Sequence, residues 1–91
     1  MDRLERARRL LEAALREVEA EIATPSCGLR QAQLASCRGT LTGYLAAVNA
    51  GQLPPRRDRP EALCRLVLDG WPFDAAVSSA VLAAERAFRN A

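Results

Sequence analysis

Between Asp2 and Ala23 the apolar side chains recur every three or four residues, as Leu4, Ala7, Leu11, Ala14, Leu15, Val18 and Ile22. An α-helix gathers such positions into one stripe, whereas a half-buried strand needs alternation at every second residue. The opposite side is almost wholly charged, with Glu5–Arg9, Arg8–Glu12 and Glu12–Arg16 at pairing distance along a helix. Thr24-Pro25-Ser26-Cys27-Gly28 ends this segment, because proline cannot continue the hydrogen-bond ladder. A chain that opens with a long amphipathic helix must cover its stripe with further elements, and the remaining sequence predicts what they are.

A second helix is expected from Leu29 to Ala50, where Leu34, Cys37, Leu41, Tyr44 and Val48 repeat at three and four with Leu45 beside them, a seam of coiled-coil type. Its other side carries Ala32, Ala35, Ser36, Gly39, Gly43, Ala46 and Ala50, all small. Each mid-helix glycine costs roughly 1 kcal/mol against alanine, so Gly39 and Gly43 require a reason. Small residues four apart let a second backbone approach closely. The sequence therefore predicts a central helix packed on both faces, against the competing reading of a kink at the glycines.

Gly51-Gln52-Leu53-Pro54-Pro55-Arg56-Arg57 reads as a stiff loop. Asp58-Arg59-Pro60-Glu61 has the pattern of a helix start, an Asp cap followed by an early proline and a glutamate. A short third helix follows from about Pro60 to Asp69, with Leu63, Leu66 and Val67 inward and Gly70 at its end. Trp71-Pro72-Phe73-Asp74 restarts the chain into a fourth helix reaching about Arg89. Its stripe is Phe73, Val77, Ala80, Val81, Ala84 and Phe88, widened by Ala76, Ala83 and Ala87, with Asp74, Ser78, Glu85 and Arg89 placed toward water. The expected fold is a single all-α domain over residues 1–91, four helices in an up-and-down arrangement of two hairpins. The small flank of helix four is expected to cover the glycine face of helix two. Leu11, Leu15, Leu34, Leu41, Val48, Leu66, Val77 and Phe88 are the predicted core.

Composition narrows the function classes. The 91 residues include no His, which removes the commonest general base and metal ligand. There is no Lys either, so Ser26, Ser36, Ser78, Ser79 and the three thiols lack a basic activator. Glu17, Glu19 and Glu21 lie two apart and fan around the helix instead of converging. No Gly-rich phosphate loop occurs. We expect neither catalysis nor a bound cofactor or metal. Cys27, Cys37 and Cys64 form no C-x-x-C pair and are odd in number, which points to unlinked structural thiols in a reducing cytoplasm. The charged opening residues are unlike a signal peptide, and no apolar run approaches the about 20 residues of a membrane span. All thirteen basic residues are Arg. Together with abundant Ala, this reads as the coding bias of a GC-rich, bacterial genome.

Four features are candidates for binding. Gly39 and Gly43 are read as a contact face for a partner. Trp71 and Phe73, with Leu82 on the polar side of helix four, are read as a partner anchor, against the plainer reading of Trp71 as a core plug. Arg56, Arg57 and Arg59 form a candidate anion-binding loop, against the plainer reading of a solvated loop. In helix one, Arg3, Arg6, Arg8 and Arg9 precede Glu17, Glu19 and Glu21, an order that an antiparallel copy would match. The expected role is a non-enzymatic protein–protein interaction module, a homodimer acting as an adaptor or regulatory accessory protein. A nucleic-acid-associated regulator using the Arg56/Arg57/Arg59 loop is the alternative. It is disfavoured by a net charge of only +2 and by a fourth helix poor in base-reading side chains near its start.

Overall fold

The computed structural model describes residues 2–91. Four α-helices follow in order, α1 (Arg3–Ala23), α2 (Gln31–Ala50), α3 (Ala62–Gly70) and α4 (Ala76–Asn90), with a 3₁₀ turn at Arg56–Asp58 between the second and third. Helix α1 starts where Asp2 accepts the Glu5 amide at 2.7 Å, satisfying one of the donors that every helix N-terminus leaves open. Helix α2 is α-helical throughout, including Gly39 and Gly43. It ends in a Schellman motif, with Gly51 at φ +68° and the amides of Gly51 and Gln52 returning to Val48 and Ala47.

Helix α1 packs on both α2 and α4, and α3 packs on α4. The first hairpin runs α1 up and α2 down, closed by Arg8 Nε donating to Asn49 Oδ1 at 2.9 Å. The second, α3 and α4, packs on α1 through α4, and Tyr44 of α2 reaches α4 at Glu85 and Phe88. The core is one cluster. It takes Ala7, Leu11, Ala14 and Val18 from α1, and Leu34, Cys37, Leu41, Tyr44 and Val48 from α2. Leu63 and Val67 come from α3, Trp71 from the following turn, and Val77, Val81, Ala84 and Phe88 from α4. The seam expected for α2 is buried throughout, and that of α1 is buried at Ala7, Leu11, Ala14 and Val18, whereas Leu4 near the start of α1 is 39% exposed and Ile22 half-buried. Leu15 and Leu66 lie at the edge of the cluster, half-buried, because each stands one helical step outside its stripe.

Three local expectations fail for identifiable reasons. Asp58 does not cap α3. It lies in the 3₁₀ turn, and the helix begins at Ala62 after Glu61, which makes no side-chain cap. Helix α4 does not begin at Pro72 either. The Ala75 amide bonds the Pro72 carbonyl at 3.2 Å, which closes a turn, and the helix starts at Ala76. Phe73 therefore falls outside the helical register and is 64% exposed. Most consequentially, the glycine face of α2 is not covered by α4. Helix α4 packs mainly on α1 and α3 and meets α2 only on its inner side, at Tyr44, so Ala32, Ala35, Ser36, Gly39, Gly43, Ala46 and Ala50 are all exposed.

Candidate functional site

Residues meant to face water hold the interior together. Ser78 and Glu85 of α4 are buried, at 0% and 1% exposure, although both were expected on the solvated side. Spacing could have found them, since Ser78, Val81, Glu85 and Phe88 follow one another at three, four and three. The Glu85 carboxylate accepts three hydrogen bonds. The Tyr44 hydroxyl donates at 2.7 Å, the Leu63 amide at 3.0 Å and the Cys64 amide at 2.7 Å. The last two are open N-terminal donors of α3, so Glu85 is the cap that Asp58 fails to be, supplied from another helix. Burial, the hydrogen bond to Glu85 and its charge push the Tyr44 phenol well above its ordinary range. Its ring stacks on Phe88 with centroids 4.3 Å apart. Burial, followed by the charge of Glu85, pushes the Cys37 thiol up to about 12, so it carries almost no reactive thiolate at neutral pH. The Glu85 carboxylate is almost wholly buried and occupied by these bonds, and so it positions α3.

At the other end of the molecule, Glu21 also turns inward. It accepts from the Ser26 hydroxyl and, at 3.0 Å, from the Ser26 amide, with the Cys27 amide farther off at 3.4 Å. The Ser26 bonds hold its carboxyl below the usual carboxylate range. Glu21 is therefore the brace of the α1–α2 turn.

The candidate binding residues separate in space. Trp71 is 4% exposed, so it is a core plug and not a surface anchor. The residue before a proline favours extended backbone, and at φ −86° and ψ 146° Trp71 turns its ring into the core beneath α3. Its Nε1 and the Ser78 hydroxyl are buried without a hydrogen-bond partner among the described residues. Leu82 is half-buried against the core, which leaves Phe73 as the exposed member of that set. In the basic loop, Arg59 is committed internally. Its Nε donates to the Pro54 carbonyl at 2.9 Å, and its Nη1 to the carbonyls of Phe88 and Arg89 at 3.3 and 2.9 Å. It thereby satisfies open acceptors at the C-terminus of α4. Arg56 and Arg57 are exposed and remain available.

Gly39 and Gly43 lie on the outer face of α2, and a Cβ added at either would meet nothing within 4 Å. Inside this chain, then, no neighbour demands glycine there. Neither glycine has positive φ, so no backbone conformation demands it either.

The topology also sorts charge. The N-termini of α1 and α3 and the C-termini of α2 and α4 share one end, with Arg3, Arg6, Arg56, Arg57 and Arg86 on or beside them. The opposite end carries Glu17, Glu19, Glu21, Asp69 and Asp74. In the described helices no carboxylate lies on α2. Among the described residues no group of His, Cys, Asp or Glu is placed to hold a metal ion, and no helix is long and apolar enough to cross a membrane. No protein family, curated protein or solved structure matches the chain.

Proposed function

We propose that the protein is a non-enzymatic interaction module that self-associates through the outer face of α2, in the manner of a small homodimeric adaptor. The observation that carries this reading is the pair Gly39 and Gly43. Both lie in a continuous helix, both are exposed, and neither is required by a neighbour or by backbone geometry. Two glycines that weaken a helix by roughly 1 kcal/mol each are accounted for if another helix lies against them.

A second copy of this chain is the occupant we favour. The face is small along its whole length, from Ala32 to Ala50, so it is complementary to itself. It bears no carboxylate that contact would strip of water. An antiparallel two-fold arrangement sets the Arg-rich end of one protomer beside the Glu-rich end of the other, and vice versa. Specific, stable interfaces bury about 1,200–2,000 Å² in total, and the contact we propose extends along the 20-residue α2.

Serial dilution followed by amide NMR tests the reading. Concentration-dependent shifts centred on Gly39, Gly43 and Ala46, with α4 quiet, are expected. Shifts centred on Phe73, or none at all over the range from millimolar to micromolar, would remove it.

A further inference from the structure

At the basic end, α1 and α4 leave a cleft of about 520 Å³ between them. Arg3 and Arg6 line it from α1, Arg86 from the penultimate turn of α4, and Arg56 from the 3₁₀ turn, over a floor that includes Leu10 and Ala83. We propose that this cleft binds a small polyphosphate anion.

Three segments remote in sequence converge to make it, and only the fold brings their charges together. Among the described residues, none of these four guanidinium groups makes an ion pair. Asp2, beside Arg3, accepts the Glu5 amide, Asp58, two residues from Arg56, does not line the cleft, and the other nearby carboxylates are committed elsewhere. Glu5 holds Arg8 and Arg9, Glu61 holds Arg89 at 2.7 Å, and Glu85 is buried on its three donors. No acidic side chain lines the cleft. Four like charges around one concavity repel one another and concentrate a positive field, and a multiply charged anion relieves that repulsion. Guanidinium groups present forked donors that match phosphate oxygens in pairs.

The shape selects among polyanions. The volume is that of a small-molecule site, which runs to about 300–1,000 Å³. A duplex is read by an element that protrudes into its groove, and this site is concave. Single-stranded nucleic acid is held by stacking its bases on aromatic rings, and no aromatic residue lines the cleft. An adjoining depression of about 440 Å³ shares Arg56, Arg86 and Asn90, adds Arg89 and the edge of Glu85, and leads toward Leu82 and Cys64. A phosphate chain held by the four arginines could extend an organic moiety toward Leu82 and Cys64, where Glu85 makes the lining mixed in charge. The shared chemistry is the triphosphate-like chain, from either inorganic polyphosphate or a nucleoside triphosphate. The cleft lies on the α1–α4 side, away from the outer face of α2, so this proposal does not depend on self-association.

Calorimetric titration of the whole chain with sodium tripolyphosphate, and separately with ATP, tests it. We expect one anion per protomer in both arms, with affinity falling steeply between about 50 and 200 mM salt. Tighter binding of ATP assigns the organic moiety to the adjoining depression, and equal affinity assigns the site to the phosphate chain alone. The double variant R6E/R86E should weaken binding at least about tenfold, as expected from losing charge-assisted pairs. The double variant R16E/R30E makes the same change in net charge away from the cleft and should leave affinity within about twofold. If R6E/R86E loses helicity, R6Q/R86Q serves instead. Equal weakening by the two charge-matched variants would overturn the site. So would no binding of either ligand at millimolar concentration, or binding of duplex DNA in preference to both.

Discussion

Helices α2 and α4 both carry a run of small residues, yet the two runs meet opposite fates. On α4, Ala84 is fully buried and Ala80 and Ala87 are half-buried, and α1 answers with Ala7 and Ala14, also fully buried. Small side chains there let two helices approach closely within one core. On α2, Gly39, Gly43 and their neighbouring alanines face outward with open space above them. The comparison teaches that a small-residue stripe announces a close contact without saying whether the other surface belongs to the same chain. Within this chain the requirement is met on α4 and left open on α2.

The two sides of α2 differ as sharply, and that contrast carries the largest effect. Leu41 is fully buried on the inner seam, so Leu41→Ala should cost about 2–5 kcal/mol in a denaturant titration. A cost below about 1 kcal/mol would mean that the inner seam is not the core side of the helix. Next comes the α1–α4 contact. Ala84→Leu adds bulk where α4 is fully buried and should destabilise the fold by about 1–3 kcal/mol, visible as a lower thermal midpoint. The equivalent change on the other stripe, Gly43→Leu, should leave the midpoint of the dilute monomer unchanged or raised.

Smaller still is the paired change Gly39→Ala and Gly43→Ala. A methyl group at either position touches nothing within the chain, so each substitution should stabilise the dilute monomer by roughly 0.5–1 kcal/mol. At high concentration the same variant should lose part of that gain, because the added methyls hold two copies of α2 apart. A gain independent of concentration would leave the glycines without a role in contact.

The least effect is expected at the acidic end. Hydrogen bonds from Ser26 lower the pKa of Glu21 in the folded state. A lowered carboxyl stabilises the fold fully above its unfolded value, and that contribution is lost as pH falls through the folded value. Ser26→Ala should therefore raise the Glu21 pKa, followed by carboxyl NMR, and flatten this part of the acid limb of stability below about pH 5. An unchanged Glu21 titration would show that Ser26 does not hold it.

How much of this was legible in the sequence follows from how local each determinant is. The seams of α1 and α2 depend only on helical spacing, and every position from Leu34 to Val48 assigned to the seam of α2 is buried. The stop at Gly51 is likewise local, and it takes the left-handed conformation that glycine permits. Glu85 was missed because a lone glutamate ordinarily faces water. Its burial depends on Tyr44 and on the N-terminus of α3, which reach it only once the two hairpins have packed. Arg59 was misread for the same reason, since the carbonyls it caps lie 29 and 30 residues away. Trp71 is the core plug that a lone Trp in a turn between helices suggests, and not the partner anchor. The clustering of Arg3, Arg6, Arg56 and Arg86 was not legible at all, because no spacing rule joins three segments that meet only at one end of a bundle.

The central claim is that the outer face of α2 is a contact surface between copies, and the molar mass in solution tests it most directly. Light scattering at tens of micromolar, on the wild-type chain and on Gly43→Leu, should give a mass near twice 9.9 kDa for the first. The second should give a mass near 9.9 kDa with its helicity intact. A wild-type mass of 9.9 kDa across that range would contradict the account, as would a Gly43→Leu variant that dimerises as the wild type does.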